Sequence, residues 1–188
     1  MKGISIVLVA ILAIVAVVFI SGVSVYNAIV SKNETITAKW AQVENQLQRR
    51  NDLIPNLVNT VKGYAAHEKT VFEDVTNARS QWAKAGNVDE KVKAASDIDR
   101  ALSRLLMVAE NYPTLKADQT FLRLMDELSG TENRIAVERM RYNEAVRDYN
   151  ITVRTFPGNI VAGMSGYKTA TEYFKAQEQA KTVPEVKF

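Results

Sequence analysis

Few side chains in this sequence have the types and spacing that catalysis requires. The one histidine, His67, is followed by Glu68, but a helical zinc motif needs ligands at i and i+4 and a third ligand elsewhere. A solvated position at a helix end is the simpler interpretation of His67. The serines lack a second histidine to activate them, no glycine-rich loop follows a strand, and acidic pairs such as Glu73 and Asp74 are typical of a helix surface. The sequence therefore predicts no catalytic residue, no metal site and no cofactor.

The segment QLQRRNDLIPNLVNTVKGY, residues 46–64, places charged residues and a proline inside a pattern that otherwise indicates one amphipathic helix. Arg50 falls on the apolar stripe of this helix. Pro55 has no N–H to donate, so it interrupts the backbone hydrogen bonds and favours a bend. Asp52 precedes it closely enough to cap a restarted helix, since proline is tolerated in a first turn. We therefore predict a helix kink at Asp52 and Pro55.

A second polar interruption occurs in the segment GTENRIAVERMRYNEAVRDYN, residues 130–150, where the apolar stripe skips. We predict that Arg49 or Arg50 pairs with Glu132, because a charge at a core position must be paired and hydrogen-bonded. Such a polar layer can set helix register, as polar core positions do in coiled coils. The alternative is that both arginines reach solvent along their aliphatic stems. The candidate polar core residues are Arg49, Arg50, Glu132 and Asn133.

Long helices are needed to position these residues, and the apolar spacing predicts them. Apolar residues recur at steps of three and four between about residues 36 and 61, 71 and 82, 92 and 109, and 121 and 153. The last stripe corresponds to a helix of more than about 50 Å, which needs equally long partners. We predict an all-α fold, in which an N-terminal transmembrane helix precedes an antiparallel up-and-down bundle of three or four long helices.

The transmembrane helix is predicted from residues 4–25, which contain no charged side chain and are nearly all apolar. At about 1.5 Å per residue, they cover the roughly 30 Å hydrocarbon core of a bilayer. A signal peptide is the alternative, but its apolar core is usually about 7–15 residues long and precedes a small-residue cleavage site. The longer stretch here lacks a clear A-x-A motif, so we interpret it as an uncleaved membrane anchor. Tyr26 follows as an aromatic residue of the membrane interface.

The charge pattern does not determine on which side of the membrane the helical bundle lies. Lys2 lies on one side of the apolar stretch, and Lys32 and Lys39 lie on the other, so the positive-inside count is nearly a tie. The whole chain has 24 Lys and Arg against 21 Asp and Glu, well mixed along its length. This pattern does not favour a nucleic-acid partner, which requires clustered basic residues. The absence of cysteine excludes disulfides and thiolate metal sites.

The pattern divides the chain into three parts. Residues 1–30 form a short N-terminus and the transmembrane helix, residues 31–158 form the helical bundle, and residues 159–188 form a C-terminal segment. We expect that segment to be partly packed on the bundle and partly flexible, with a helix around 170–181. It begins with an apolar patch, which either closes the end of the bundle or contacts the membrane. The patch consists of Ile160, Val161, Met164 and Tyr167.

Long sequence blocks resemble a known family. They are YNAIV after the apolar stretch, WAQVENQLQRRNDLIPNLVNTVKGYAAHE at 40–68, AENYPTLKADQTFLRLMDELSGTENRIAVERMRYNEAVRDYN at 109–150, and FPGNIVA at 156–162. These blocks are similar to the LemA family, and the similarity covers nearly the whole chain. The resemblance implies a single-pass protein of the bacterial inner membrane with a four-helix, coiled-coil-like domain. It supplies no catalytic or cofactor residue. One relative takes part in magnetosome membrane formation, so the resemblance suggests, by analogy, a role in membrane organisation.

Two functions from different classes follow. The first is a non-catalytic membrane-anchored scaffold or adaptor, whose partners are the lipid around residues 4–25 and an unidentified membrane or membrane-associated protein or further copies of the chain. The second is a lipid-surface or membrane-remodelling protein that uses the C-terminal apolar patch. An enzyme is the weakest interpretation, because no candidate active site supports it.

Overall fold

A computed structural model of the chain describes the backbone of residues 2–170 and 173–174, and side chains from residue 6 onward within those ranges. All regular elements in this part of the chain are helices, which confirms the all-α class. They are α1 (Lys2–Tyr64), α2 (Lys69–Lys84), α3 (Val88–Glu110), α4 (Pro113–Lys116), α5 (Gln119–Arg154) and α6 (Gly158–Ser165). The described residues form two compact units: unit 1 contains residues 2–41 and 141–170, and unit 2 contains residues 42–140 and 173–174.

The N-terminal part of α1 presents an apolar surface in unit 1. Every side chain from Ile6 to Ser21 is exposed, although most of these residues are Ile, Leu, Val or Phe. By length and composition, this part of α1 is able to cross a membrane, a test that a signal sequence also passes. Exposed aliphatic side chains are unfavourable in water and favourable in lipid, so the surface fits a bilayer environment.

Helix α1 continues through Pro55 without a new start. Asp52 is therefore not an N-cap, and this part of the sequence prediction was wrong: its carboxylate instead accepts a hydrogen bond of 2.7 Å from Nε2 of Gln48, one turn earlier. The helix tolerates the missing N–H because the buried side chains of Ile54 and Leu57 hold it against the core of unit 2. A bend of α1 at Pro55 stays a prediction.

Unit 2 has an apolar core to which α1, α2, α3 and α5 each contribute one face and α4 adds Leu115. The buried residues follow the spacing of three and four that the sequence shows. They include Val43, Leu47, Ile54, Leu57 and Val61 of α1, Phe72, Val75, Ala78 and Trp82 of α2, Ala95, Ile98, Leu102 and Leu105 of α3, and Phe121, Leu124, Leu128 and Ile135 of α5.

Side chains cap the helices of unit 2 at its turns. Oδ1 of Asn87 accepts from the N–H of Glu90 at 2.9 Å, and Oε2 of Glu90 accepts from the N–H of Gly86 at 2.7 Å. Before α5, Oδ1 of Asp118 accepts from the N–H of Phe121 at 2.9 Å. That backbone donor, together with the other hydrogen bonds to this carboxylate, lowers the pKa of Asp118 below its usual range. The caps satisfy backbone donors that each helix leaves free in its first turn.

Unit 1 has a small core of its own, formed by Ile29 of α1, Tyr149 and Val153 of α5, and Ala162 of α6. The hydroxyl of Tyr149 donates to the carbonyl oxygen of Lys168 at 2.8 Å. The chain after α6 is therefore attached to the end of α5. The remainder of the C-terminal segment, including most of the helix predicted at 170–181, lies outside the described residues, and the three-part division of the chain stays a prediction.

Gly158 permits the close approach of α6 to α5. A Cβ added at Gly158 would lie 1.9 Å from the carbonyl oxygen of Thr152, so the backbone would have to move. We expect Gly158→Ala to lower the free energy of unfolding by roughly 1–3 kcal/mol, as overpacking usually does. Thermal and denaturant unfolding of the full-length chain in detergent, followed by circular dichroism, measures this loss.

The matched control is Gly163→Ala in the same helix, because nothing lies within 4 Å of its added Cβ. This change should be neutral or stabilising by up to about 1 kcal/mol, since alanine favours a helix over glycine. Equal losses at the two positions would contradict the packing of α6 on α5.

Candidate functional site

A buried arginine in unit 2 contacts two acidic side chains. Arg50 is only 3% exposed, and its Nη1 lies 3.0 Å from Oε2 of Glu132 and also bonds to Oδ1 of Asp99. Its Nη2 donates to the carbonyl oxygen of Ala95 at 3.4 Å. One guanidinium of α1 thus joins α3 and α5 inside unit 2.

The sequence prediction named some of these residues and missed others. Arg50 is buried while its neighbour Arg49 is exposed, and Glu132 and Asn133 both lie at the surface. Asp99 was missed, because the pattern of α3 was interpreted through its apolar residues alone. The signal was available: Asp99 lies four residues after the buried Ala95, at the edge of the apolar stripe. The structural role of the layer stays a prediction.

Arg139 completes a set of four charged residues that we call the polar layer: Arg50, Asp99, Glu132 and Arg139. Burial raises the pKa of the Asp99 carboxyl above its usual range, although the adjacent Arg50 acts in the opposite direction. Burial lowers the pKa of the Arg139 guanidinium, while Asp99 and Glu132 act to raise it. The guanidinium of Arg139 also lies 5.2 Å from the ring centre of Phe174. Two cations and two carboxylates balance one another, with Arg50 buried and Glu132 reaching solvent.

The apolar patch predicted in the C-terminal segment separates into two groups in unit 1. Val161 and Tyr167 pack against the core formed by Ile29, Tyr149, Val153 and Ala162. Ile160 and Met164 are exposed, together with Phe156 just before α6. Since these three residues are spaced by four, we name the group of Phe156, Ile160 and Met164 the α6 surface.

Helix α6 and the segment after it share a core with the end of the apolar part of α1. The ring of Tyr26 meets that of Tyr167 edge-on, with centroids 6.2 Å apart, and Val25 packs against the same small core. Further along α1, Nζ of Lys32 donates to the carbonyl oxygen of Asp148 at 3.2 Å. Tyr26, the predicted interface residue, thus connects the apolar stretch to the segment that follows α6.

The titratable residues considered for catalysis or metal binding do not come together in a site. His67 is exposed in the turn between α1 and α2. Across the side chains that the structure describes, no group of three or more His, Asp or Glu residues is placed to hold a metal ion. The side chains described here give no geometry from which a reaction can be derived, and the contribution of the polar layer to packing stays a prediction.

Comparison with known proteins agrees with the sequence resemblance. The sequence profile of the LemA family matches residues 39–188. Magnetosome proteins MamQ 1 and MamQ 2 of Paramagnetospirillum magneticum are each 31% identical to this chain, in alignments covering 84% of it and 67% of the relative. Magnetosome protein MamQ of Magnetospirillum gryphiswaldense is 28% identical with the same coverage. The resemblance to the LemA family is confirmed, and the matches support a membrane-associated helical protein.

Replacing Arg50 tests the energetic role of the polar layer. We expect Arg50→Met to lower the free energy of unfolding by about 3–5 kcal/mol, because Asp99 loses its counter-ion in a poorly hydrated site. Arg49→Met is the matched control on the exposed side of α1 and should change it by no more than about 0.5 kcal/mol. Denaturant unfolding of the full-length variants in detergent provides both values.

The same measurement distinguishes the two carboxylates. Since Glu132 is 52% exposed, Glu132→Gln should cost under about 1 kcal/mol, and Asp99→Asn should cost more. A double-mutant cycle between Arg50 and Asp99 should give a coupling of about 0.5–3 kcal/mol. Equal effects of Arg49→Met and Arg50→Met would show that the layer contributes nothing to stability.

Proposed function

The chain belongs to the LemA family, and from that premise we propose that it is a membrane-anchored, non-catalytic helical scaffold or adaptor. It mediates protein–protein interaction or self-assembly at the bacterial inner membrane. Its partner is another membrane or membrane-associated protein, or further copies of the same chain.

Helix α1 carries the observation that supports this proposal. Residues 6–20 are exposed and apolar, while residues 43–61 of the same helix contribute a buried stripe to unit 2. No break separates the two segments. The same helix thus contains both the proposed anchor and part of the folded core of unit 2.

The relatives are consistent with an organising role. The chain is similar to proteins named magnetosome proteins, and a magnetosome is a cellular structure rather than a metabolic reaction. We extend to this chain only the general idea that it serves an assembled structure at a membrane.

Cross-linking with mass spectrometry on intact membranes tests the scaffold function. Cells producing the tagged full-length chain are treated with a lysine-reactive reagent, and cells producing the untagged chain serve as the control. We expect reproducible links from exposed lysines of unit 2, such as Lys69, Lys84 and Lys93, to one other protein or to a second copy. A chain that is strictly monomeric and gives no links between molecules would contradict the scaffold.

The α6 surface favours a second function, contact with the lipid surface. Residues 155–167 contain no charged side chain, and the basic residues Arg154 and Lys168 flank them. If residues 4–25 cross the bilayer, Val25 and Tyr26 lie at the interface. Because α6 shares its core with Val25, and Tyr167 just after α6 contacts Tyr26, we infer that the α6 surface lies near the depth where amphipathic helices insert apolar side chains.

The absence of cysteine makes this second function testable with single labels. Met164 on the α6 surface is 85% exposed, and Met107 on α3 of unit 2 is a matched control at 58%. Met164→Cys and Met107→Cys each carry an environment-sensitive fluorophore in vesicles of equal parts phosphatidylcholine and phosphatidylglycerol. We expect blue-shifted emission and quenching by nitroxide lipids at position 164 only. Aqueous emission at both positions would contradict lipid contact by α6.

A further inference from the structure

A groove runs between α1 and α2 on unit 2, and it combines an apolar floor with polar groups that lack partners. Its volume is about 410 Å³. Among the described residues that line it, none is acidic. We call it the α1–α2 groove, and the lining residues that matter here are Asn51, Pro55, Val58, Lys62, Val75 and Arg79.

The α1 side of the groove offers hydrogen-bond acceptors. Asn51 is only 4% exposed, and its Oδ1 has no partner among the described residues. Pro55 also has no N–H to donate to the backbone carbonyl of Asn51 four residues earlier. A buried acceptor without a donor costs roughly 1–3 kcal/mol, so a native protein rarely leaves one unsatisfied. The side-chain oxygen of Asn51 therefore requires a donor from outside the helix.

The α2 side of the groove offers cationic donors. Nε of Arg79 is buried and has no acceptor among the described residues. Lys62, on the α1 side, lines this groove and an adjoining cavity of about 440 Å³, where Lys69 and Glu73 are also present. The two cavities thus carry three cations and one carboxylate beside apolar side chains such as Val58 and Val75.

We propose that the α1–α2 groove is the docking site for an acidic peptide segment of a partner protein. Backbone N–H groups of the segment donate to Asn51, a carboxylate accepts from Arg79, and apolar side chains of the segment pack on Val58 and Val75. A bare phosphate group offers acceptors alone, whereas a peptide supplies both donors and acceptors. The charge of the groove favours acidic side chains near the peptide. This inference rests on the proposed scaffold function, whose partner class it names.

Selection of peptides on the purified full-length chain in detergent tests the site. The probe is a phage-displayed library of random dodecapeptides, and each enriched sequence is then measured as a synthetic fluorescent peptide. We expect the enriched peptides to alternate acidic with apolar residues. Replacing their Asp and Glu by Asn and Gln should weaken binding at least tenfold, and added salt should weaken it further.

Two variants of the groove and one control variant test whether the peptides bind in the α1–α2 groove. Arg79→Gln should weaken binding about tenfold or more, and Ser80→Trp should block the groove from its exposed rim without removing a buried side chain. Arg123→Gln changes an exposed arginine of α5 in unit 2 and should leave binding unchanged. Enriched peptides with no acidic bias, or binding that survives both groove variants, would overturn the proposal.

A photo-reactive residue at position 80 of the full-length chain separates this inference from the scaffold function. A link in intact membranes to an acidic segment of another protein supports the groove, and links between two copies would overturn it in favour of self-assembly. If lysine cross-links identify a partner that position 80 never contacts, the docking site in the groove is refuted, whereas the scaffold function is supported. If neither method finds a partner, both fail.

Discussion

A guanidinium group at a core position of α1 constrains how the helices of unit 2 pack. Arg50 cannot be buried among apolar side chains alone, because an unpaired charge in a poorly hydrated site is strongly unfavourable. Asp99 of α3 and Glu132 of α5 must therefore both face it. A slip of either helix by one turn would move its carboxylate by about 5.4 Å and break the contact. Apolar packing tolerates such slips far better, so we predict that the polar layer favours one register among several that would bury similar area.

The two ends of α1 are both helical, but their side chains are suited to different environments, lipid at one end and water at the other. The helix satisfies its own backbone hydrogen bonds, so residues 6–20 can expose only apolar side chains, as a bilayer requires. Residues 43–61 instead alternate buried and exposed positions, as an aqueous surface requires. The change occurs in unit 1, where Ile29 becomes the first fully buried apolar residue of α1, against Tyr149 and Val153. The folded part of the chain therefore begins within a few residues of the apolar stretch.

The helical class and the buried stripes could be predicted from the sequence, because a spacing of three and four is a property of each helix alone. The same pattern places Arg50 rather than Arg49 on the inner side of α1. Contacts between distant segments could not be predicted in this way. Asp99 lies at the edge of its stripe, and only the packing of α3 makes it face Arg50. Likewise, nothing within residues 160–167 indicates that Val161 and Tyr167 are packed while Ile160 and Met164 are exposed, since the residues they pack on come from α1 and α5.

Pro55 shows how tertiary packing can override a local rule and what remains afterwards. An isolated helix would lose roughly 3 kcal/mol at an interior proline, yet α1 continues because Ile54, Leu57 and Val58 are buried around it. Packing keeps the chain helical through Pro55, but it cannot restore the missing N–H. The carbonyl of Asn51 loses the donor that residue 55 would normally supply, and the side-chain oxygen of the same residue is buried without a partner among the described residues. The proline is unfavourable for a helix, and packing offsets its cost. It also leaves a polar group without a partner in a groove. Proteins keep irregularities of this kind at sites where they bind another molecule.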